Sequence, residues 1–162
     1  MFNFEQALER LSEQTILCIG DLMLDDFIYG DVSRVSPEAP VPVIAVKREE
    51  KVVGGAGNVA RNIASLGVSC IFIGVIGGDE AGQTIRTKFS EFKRTIEPHL
   101  VIDRSRPTSR KARFVSEHYS SHLLRADWEL AKPVDAAIEA ELIELVAAML
   151  PRVNAVVLSD YA

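Results

Sequence analysis

The segment Val52-Val53-Gly54-Gly55-Ala56-Gly57-Asn58-Val59-Ala60-Arg61-Asn62-Ile63-Ala64-Ser65-Leu66-Gly67 places three glycines in four positions. Such a run can hardly be the interior of a strand, because glycine there weakens the strand and offers no side chain to pack. The residues that follow are apolar at 59, 60, 63, 64 and 66, a helical spacing, and Gly67 supplies a stop. The segment therefore reads as a glycine turn feeding a helix. Without Cβ atoms the turn admits a close approach to its backbone. The helix start adds free N–H groups and a partial positive charge, which suit phosphates, carboxylates or sugar hydroxyls. The plainer reading is a tight turn that binds nothing.

Residues 55–60 also fit G-x-G-x-x-A, the dinucleotide fingerprint, with Asp79 about 20 residues further on. That motif must close a buried strand. Here the preceding run, Val46-Lys47-Arg48-Glu49-Glu50-Lys51-Val52, is too charged for the centre of a parallel sheet. A better buried strand, Thr15-Ile16-Leu17-Cys18-Ile19-Gly20, occurs earlier and leads into carboxylates rather than glycines. A nicotinamide oxidoreductase is set aside on this ground.

With 162 residues, 48% of them apolar and 25% charged, the chain suits one globular domain. Its net charge of −5 speaks against nucleic acid as a partner. No apolar run is long enough for a membrane span. The N-terminus is acidic and amphipathic, with apolar residues at 4, 7, 8 and 11, and so predicts a short surface helix rather than a signal peptide. Cys18 and Cys70 each fall inside an apolar strand pattern without metal spacing, and read as buried thiols of a cytoplasmic protein.

Strand 15–20 delivers Asp21 and Asp25 to the carboxyl edge of a sheet, where open α/β folds bind ligands. The two acids could bind hydroxyls or a metal, or cap a turn. Residues 27–33 and 41–53 have strand character broken by Pro40 and Pro42, and the second run alternates with one charged face, as in a small antiparallel flap. Arg34, placed between them, could reach a phosphate or be a solvated loop charge. A strand over 69–78 and a helix from Glu80 to about Phe92 follow, with Asp79 as the helix cap. Strands near 99–103 and 111–116 come next. On a strand, Lys111 and Arg113 share a face, and an ammonium beside a guanidinium suits a phosphate monoester; the alternative is an edge strand defended by charge. Arg125 and Asp127 read as further binders or as a structural pair. The stretch Pro133–Met149 predicts a helix with proline at N1. The run 155–160 predicts a buried strand that carries Asp160 to the same ligand edge. No residue set is assigned to a metal.

Gly54-Gly55 with Asn58, Ala60, Gly67 and Gly77 resembles the first signature of the ribokinase-like (pfkB) carbohydrate kinases. Gly20-Asp21-Leu22-Met23-Leu24-Asp25, the segment Ser33-Arg34-Val35-Ser36-Pro37-Glu38-Ala39-Pro40-Val41-Pro42-Val43, and Leu158-Ser159-Asp160-Tyr161-Ala162 extend the likeness to the heptose-7-phosphate kinase branch, the kinase domain of a bifunctional enzyme that makes ADP-heptose for lipopolysaccharide. The resemblance implies an α/β fold: a parallel Rossmann-like sheet flanked by helices, with a small antiparallel β lid, in an incomplete ribokinase-like fold. Residues 1–162 would be the N-terminal half of the kinase domain, with lid strands at about 27–33 and 41–53. It further implies ATP-dependent phosphorylation of D-glycero-D-manno-heptose 7-phosphate at its anomeric hydroxyl. Asp25, then Asp21, with Gly54, Gly55 and Asn58, would hold the sugar; Lys111 and Arg113 would hold its existing phosphate; Asp160 and Arg34 are further candidates. The base, the anion hole and the ATP and Mg²⁺ site of the full-length enzyme lie in later segments that this sequence does not contain. No catalytic residue is therefore expected here, and the half chain alone should bind neither ATP nor Mg²⁺ and have no kinase activity. The expected partners are the sugar-phosphate substrate and a second copy through the lid. The alternative is a non-catalytic sugar-phosphate-binding or dimerisation module.

Overall fold

Strand β1 (Thr15–Gly20) buries consecutive residues on opposite sides: Leu17 and Cys18 are both fully inaccessible, in two different apolar clusters. A strand apolar on both faces belongs at the centre of a parallel sheet. The computed structural model, which describes residues 4–92, 95–118 and 121–161, shows that sheet. Its order is β5-β4-β1-β8, with β4 Ser69–Ile76, β5 Ile96–Ile102 and β8 Ala155–Ser159, all parallel. Helices α2 (Ala56–Ser65) and α3 (Glu80–Ser90) cover one face through Ala60, Ile63, Ile85 and Phe89, against Cys18, Cys70 and Phe72. Helix α4 (Ala136–Met149) covers the other through Leu142, Leu145, Val146 and Met149, against Leu17, Ile71 and Ile73. A short surface helix, α1 (Phe4–Ser12), precedes β1. Among the described residues no helix is long and apolar enough to cross a membrane.

The second sheet is larger than the flap read from the sequence. It has four strands in the order β3-β2-β6-β7, with β2 Leu22–Val35, β3 Pro42–Gly55, β6 Arg110–Ser116 and β7 Ser121–Trp128. The pairs β2/β3 and β6/β7 are antiparallel, but β2/β6 is parallel, so the sheet is mixed. Strand β2 begins at residue 22, not 27, which puts Asp25 inside a strand rather than in a turn. Arg34 likewise belongs to β2, not to a loop. Strand β6 is interior, flanked by β2 and β7, and is not the exposed edge that its charges allowed.

Two further differences have simple causes. Helix α4 starts at Ala136 behind Asp135 in extended conformation; Pro133 lies ahead of it. The extended Asp135 takes the N-cap position, so helical geometry begins three residues later than proline at N1 would require. The run 155–159 does form a strand, but at the edge of the sheet, where Val156 and Leu158 are 43% and 76% exposed. Periodicity reports apolar character; it does not report which neighbour covers it.

Candidate functional site

Both sheets meet at the glycine run. Asp21 separates β1 from β2, and its carbonyl accepts a hydrogen bond from the Ala56 N–H, 2.9 Å away, at the first turn of α2. Gly55, the residue before that helix, has φ of +57°, a value that favours glycine, and a Cβ there would overlap the Asp21 carbonyl. A Cβ on Gly54 would overlap the Asp25 carboxylate, and one on Gly57 would strike Val53 and Leu22. The room left by the missing side chains is thus taken by the chain's own Asp21, Asp25, Val53 and Leu22. The strand entering this turn, β3, is antiparallel in the second sheet, which is not the βαβ setting of a dinucleotide fingerprint.

Strand register assembles the charged patch. Asp25 pairs with Lys111 and Phe27 with Arg113 across β2/β6; Lys111 pairs with Asp127 and Arg113 with Arg125 across β6/β7. Directly paired residues project from the same side of a sheet, so these side chains share one face. Arg113 NH1 donates to Asp25 Oδ1 at 2.5 Å, and the two side chains are each 18% exposed. Lys111 Nζ donates to Glu129 Oε2 at 2.6 Å and to Asp127 Oδ2 at 3.1 Å. Lys111 is held above the ordinary lysine range, first by the Glu129 bond, against a cost of burial, and then by Asp127. The lysine proposed from sequence as a phosphate ligand is therefore already bracketed by two acids.

The opposite face is apolar near its root, where Leu22 and Leu24 join the core of α2 and α3. Just beyond, Asp26 is fully buried; its Oδ2 accepts from Arg110 NH2 at 2.5 Å and Nε at 3.2 Å, and its Oδ1 has no partner among the described residues. Arg110 also lies 4.7 Å from the centre of the Trp128 ring. The loop before β6 is tied to α3 by Asp79, which caps the helix through Gly82 N–H and accepts from the Thr108 hydroxyl and N–H.

Of the residues singled out from sequence, Asp25, Gly54, Lys111 and Arg113 form one patch on the second sheet. Asp21, Gly55, Asn58 and Asp160 lie at its root. Asn58 is exposed in the first turn of α2, and Asp160 follows β8, whose Ser159 carbonyl accepts from the Asp21 N–H. The Asp21 carboxylate itself accepts from the Tyr161 N–H at 2.7 Å. Arg34 stands apart, nine residues along β2 from Asp25, roughly 30 Å at the usual rise. Sequence reasoning missed a neighbouring hollow of about 550 Å³ lined by Phe27, Tyr29, Arg48, Val115, Ser116, Glu117 and His122. Phe27 and Tyr29 stack in it at 6.2 Å, and Arg48 sits 3.4 Å from the centre of the Tyr29 ring. A period of two counted from Asp25 through Phe27 to Tyr29 was the available signal.

Residues 13–159 match the pfkB family carbohydrate kinases. The bifunctional protein HldE of Rhodopseudomonas palustris (strain BisA53) is 59% identical over 162 residues, which is all of this chain and 33% of that protein. HldE of Bradyrhizobium diazoefficiens is 54% identical over the same 162 residues, again 33% of its length. The chain thus spans about one third of the curated relatives it matches. Among solved structures, the phosphofructokinase-2 from Escherichia coli in complex with fructose-6-phosphate superposes with a TM-score of 0.64 at 20% identity, covering 90% of this chain and 44% of that one. A carbohydrate kinase from Agrobacterium tumefaciens gives 0.65 at 16% identity, covering 90% and 45%. At these identities the likeness is one of fold.

Proposed function

This chain belongs to the pfkB family of carbohydrate kinases, and on that premise we propose that it is the sugar-phosphate-binding part of a kinase domain acting on D-glycero-D-manno-heptose 7-phosphate at its anomeric hydroxyl, in the supply of ADP-heptose for lipopolysaccharide. In this reading residues 1–162 are the N-terminal half of the domain and work in the cytoplasm. The observation that carries it is the register that sets Asp25 beside Lys111 and Arg113 on one face of the second sheet. A carboxylate accepts hydrogen bonds from vicinal hydroxyls, and a guanidinium grips a phosphate with a planar fork. Arg113 commits only NH1 to Asp25 and to the Lys111 carbonyl, so its other nitrogens are positioned for an anion. Asp21, Gly55, Asn58 and Asp160, at the rim of the parallel sheet, would face the remaining hydroxyls.

Among the described residues no group of three or more His, Cys, Asp and Glu side chains converges to hold a metal ion. In this reading the described residues hold the sugar phosphate, and the ATP and Mg²⁺ of the family reaction are not assigned to them. No step of the proposal runs through ATP or Mg²⁺, which are assigned to the remaining length of the longer relatives. The chain by itself is then a binder without turnover, and it pairs with a second copy through the second sheet. Calorimetry of the purified chain with heptose 7-phosphate, ribose and fructose 6-phosphate tests the reading. Preference for the heptose phosphate is expected; equal or absent binding of all three would overturn the assignment. ATP-dependent turnover by the chain alone would overturn its non-catalytic role.

A further inference from the structure

The register of β6 on β7 sets two arginines directly opposite each other: Arg113 pairs with Arg125, on the face that carries Asp25. Like charges in that position are unfavourable unless something negative lies between or beside them. Their own carboxylates relieve this only in part. Asp25 and the Lys111 carbonyl take NH1 of Arg113, and Asp127 takes Nε of Arg125 at 3.0 Å. Asp127 is also shared with Lys111. The other guanidinium nitrogens of both arginines have no partner among the described residues. Arg125 is 57% exposed and Arg113 18% exposed, with Arg113 braced over the Phe27 ring at 5.1 Å. The next cross-strand row is Arg48, Tyr29, Val115 and His122, which line the hollow of about 550 Å³. The arginine pair therefore stands between the hydroxyl-binding carboxylate of Asp25 and an open space large enough for the far end of a ligand.

We propose that Arg125, with Arg113, forms a two-pronged clamp for the phosphate monoester of the substrate, and that Arg125 is the residue by which the site prefers a phosphorylated sugar to a free one. Lys111, bracketed by Asp127 and Glu129, sets the local field and does not grip the phosphate directly. A dianion between two forks meets both positive charges at once, which a neutral hydroxyl cannot do. The assignment rests on the sugar-phosphate reading above, and one experiment separates the two. Calorimetry of the 162-residue chain would compare heptose 7-phosphate with unphosphorylated heptose for the native protein, Arg125→Gln, Arg125→Lys and Arg113→Gln, with circular dichroism melts to verify folding. Arg125→Gln is expected to weaken heptose 7-phosphate about tenfold while leaving free heptose unchanged, with Arg125→Lys in between. If Arg125→Gln binds the phosphate like the native chain while Arg113→Gln does not, the role of Arg125 is overturned and the sugar-phosphate reading stands. An equal loss for both ligands would also overturn it, by making Arg125 structural. A native chain that does not distinguish the two ligands would overturn both.

Discussion

The carboxylate of Asp25 occupies the space in which a side chain on Gly54 would begin. Any other residue at 54 must displace an acid that Arg113 already holds from the other side. Gly54→Ala is expected to cost about 1–3 kcal/mol in urea unfolding, as an overpacked site does. Adding Asp25→Ala should return about 1 kcal/mol or more of that loss as coupling in a double-mutant cycle. Strict additivity would show that the two residues are not in conflict.

Asp26 is fully buried and is held by Arg110, whose side chain is 34% exposed, with one carboxylate oxygen unmatched. Replacing Arg110 by Met leaves a carboxylate without compensation in a dry site, and about 3 kcal/mol of stability should be lost. The double replacement Asp26→Leu, Arg110→Met removes both charges and should lie within about 1 kcal/mol of the native chain. Chemical denaturation of the three proteins checks the ordering. A double variant as unstable as Arg110→Met would show that the charge pair is not the cause.

Asp79 predicts acid sensitivity. Burial alone would raise its pKa, but the Thr108 hydroxyl, Gly82 N–H and Thr108 N–H together bring it below the ordinary 3.8. A carboxyl depressed in the folded state stabilises the fold fully above its unfolded pKa, and that stability is lost as pH falls through the lower, folded value. Melting temperatures should therefore drop below about pH 4. Asp79→Asn should be less stable at neutral pH and should show a smaller drop on acidification. An unchanged pH profile would remove Asp79 from the set of acid-sensitive groups.

The two thiols predict the reverse sign. Burial pushes Cys18 up to about 11, and burial with the neighbouring Cys18 pushes Cys70 up to about 12, from an ordinary 9.0. Their neutral forms favour the fold below pH 9.0, and this contribution is lost as pH rises beyond it. At pH 8 the native chain should resist iodoacetamide, with both thiols modified only in concentrated urea, as read by intact mass. Rapid native labelling would show that the strands around them open.

The parallel sheet and the turn into α2 were legible because their signals are local. Leu17 and Cys18 belong to an uninterrupted apolar run, and Gly67 follows a helical spacing with φ of +83°. The capping role of Asp79 was legible for the same reason. The antiparallel flap of β2 and β3 was legible from its alternating charged face, but the rest of the second sheet was not, because its decisive contact joins strands 84 residues apart: Asp26 on β2 with Arg110 on β6. Nothing periodic in Arg110-Lys111-Ala112-Arg113 announces a parallel partner so far away. The acids Asp21 and Asp25 are legible as a pair beyond β1, but that strand β2 begins at Leu22 and buries Asp26 is not. The juxtaposition of Arg113 with Arg125 follows only once the register of β6 on β7 is known.

One residue, Asp21, divides β1 from β2, and β3 returns to the same place at Gly55. The long hairpin thus projects from a root held at Asp21 and Gly55, by Leu22 and Leu24 in the core, and by the Asp79–Thr108 tie ahead of β6, with an arm of 14 residues, about 45 Å along the strand. A tilt of about 10° at that root would sweep the far tip through roughly 8 Å, while the residues beside Asp21 hardly move. Mechanical gain of this kind means that subtle changes among Asp21, Gly55 and Ala56 would register most strongly at the tip, at Arg34 and Val35, where crosslinking or fluorescence reporters would best be placed.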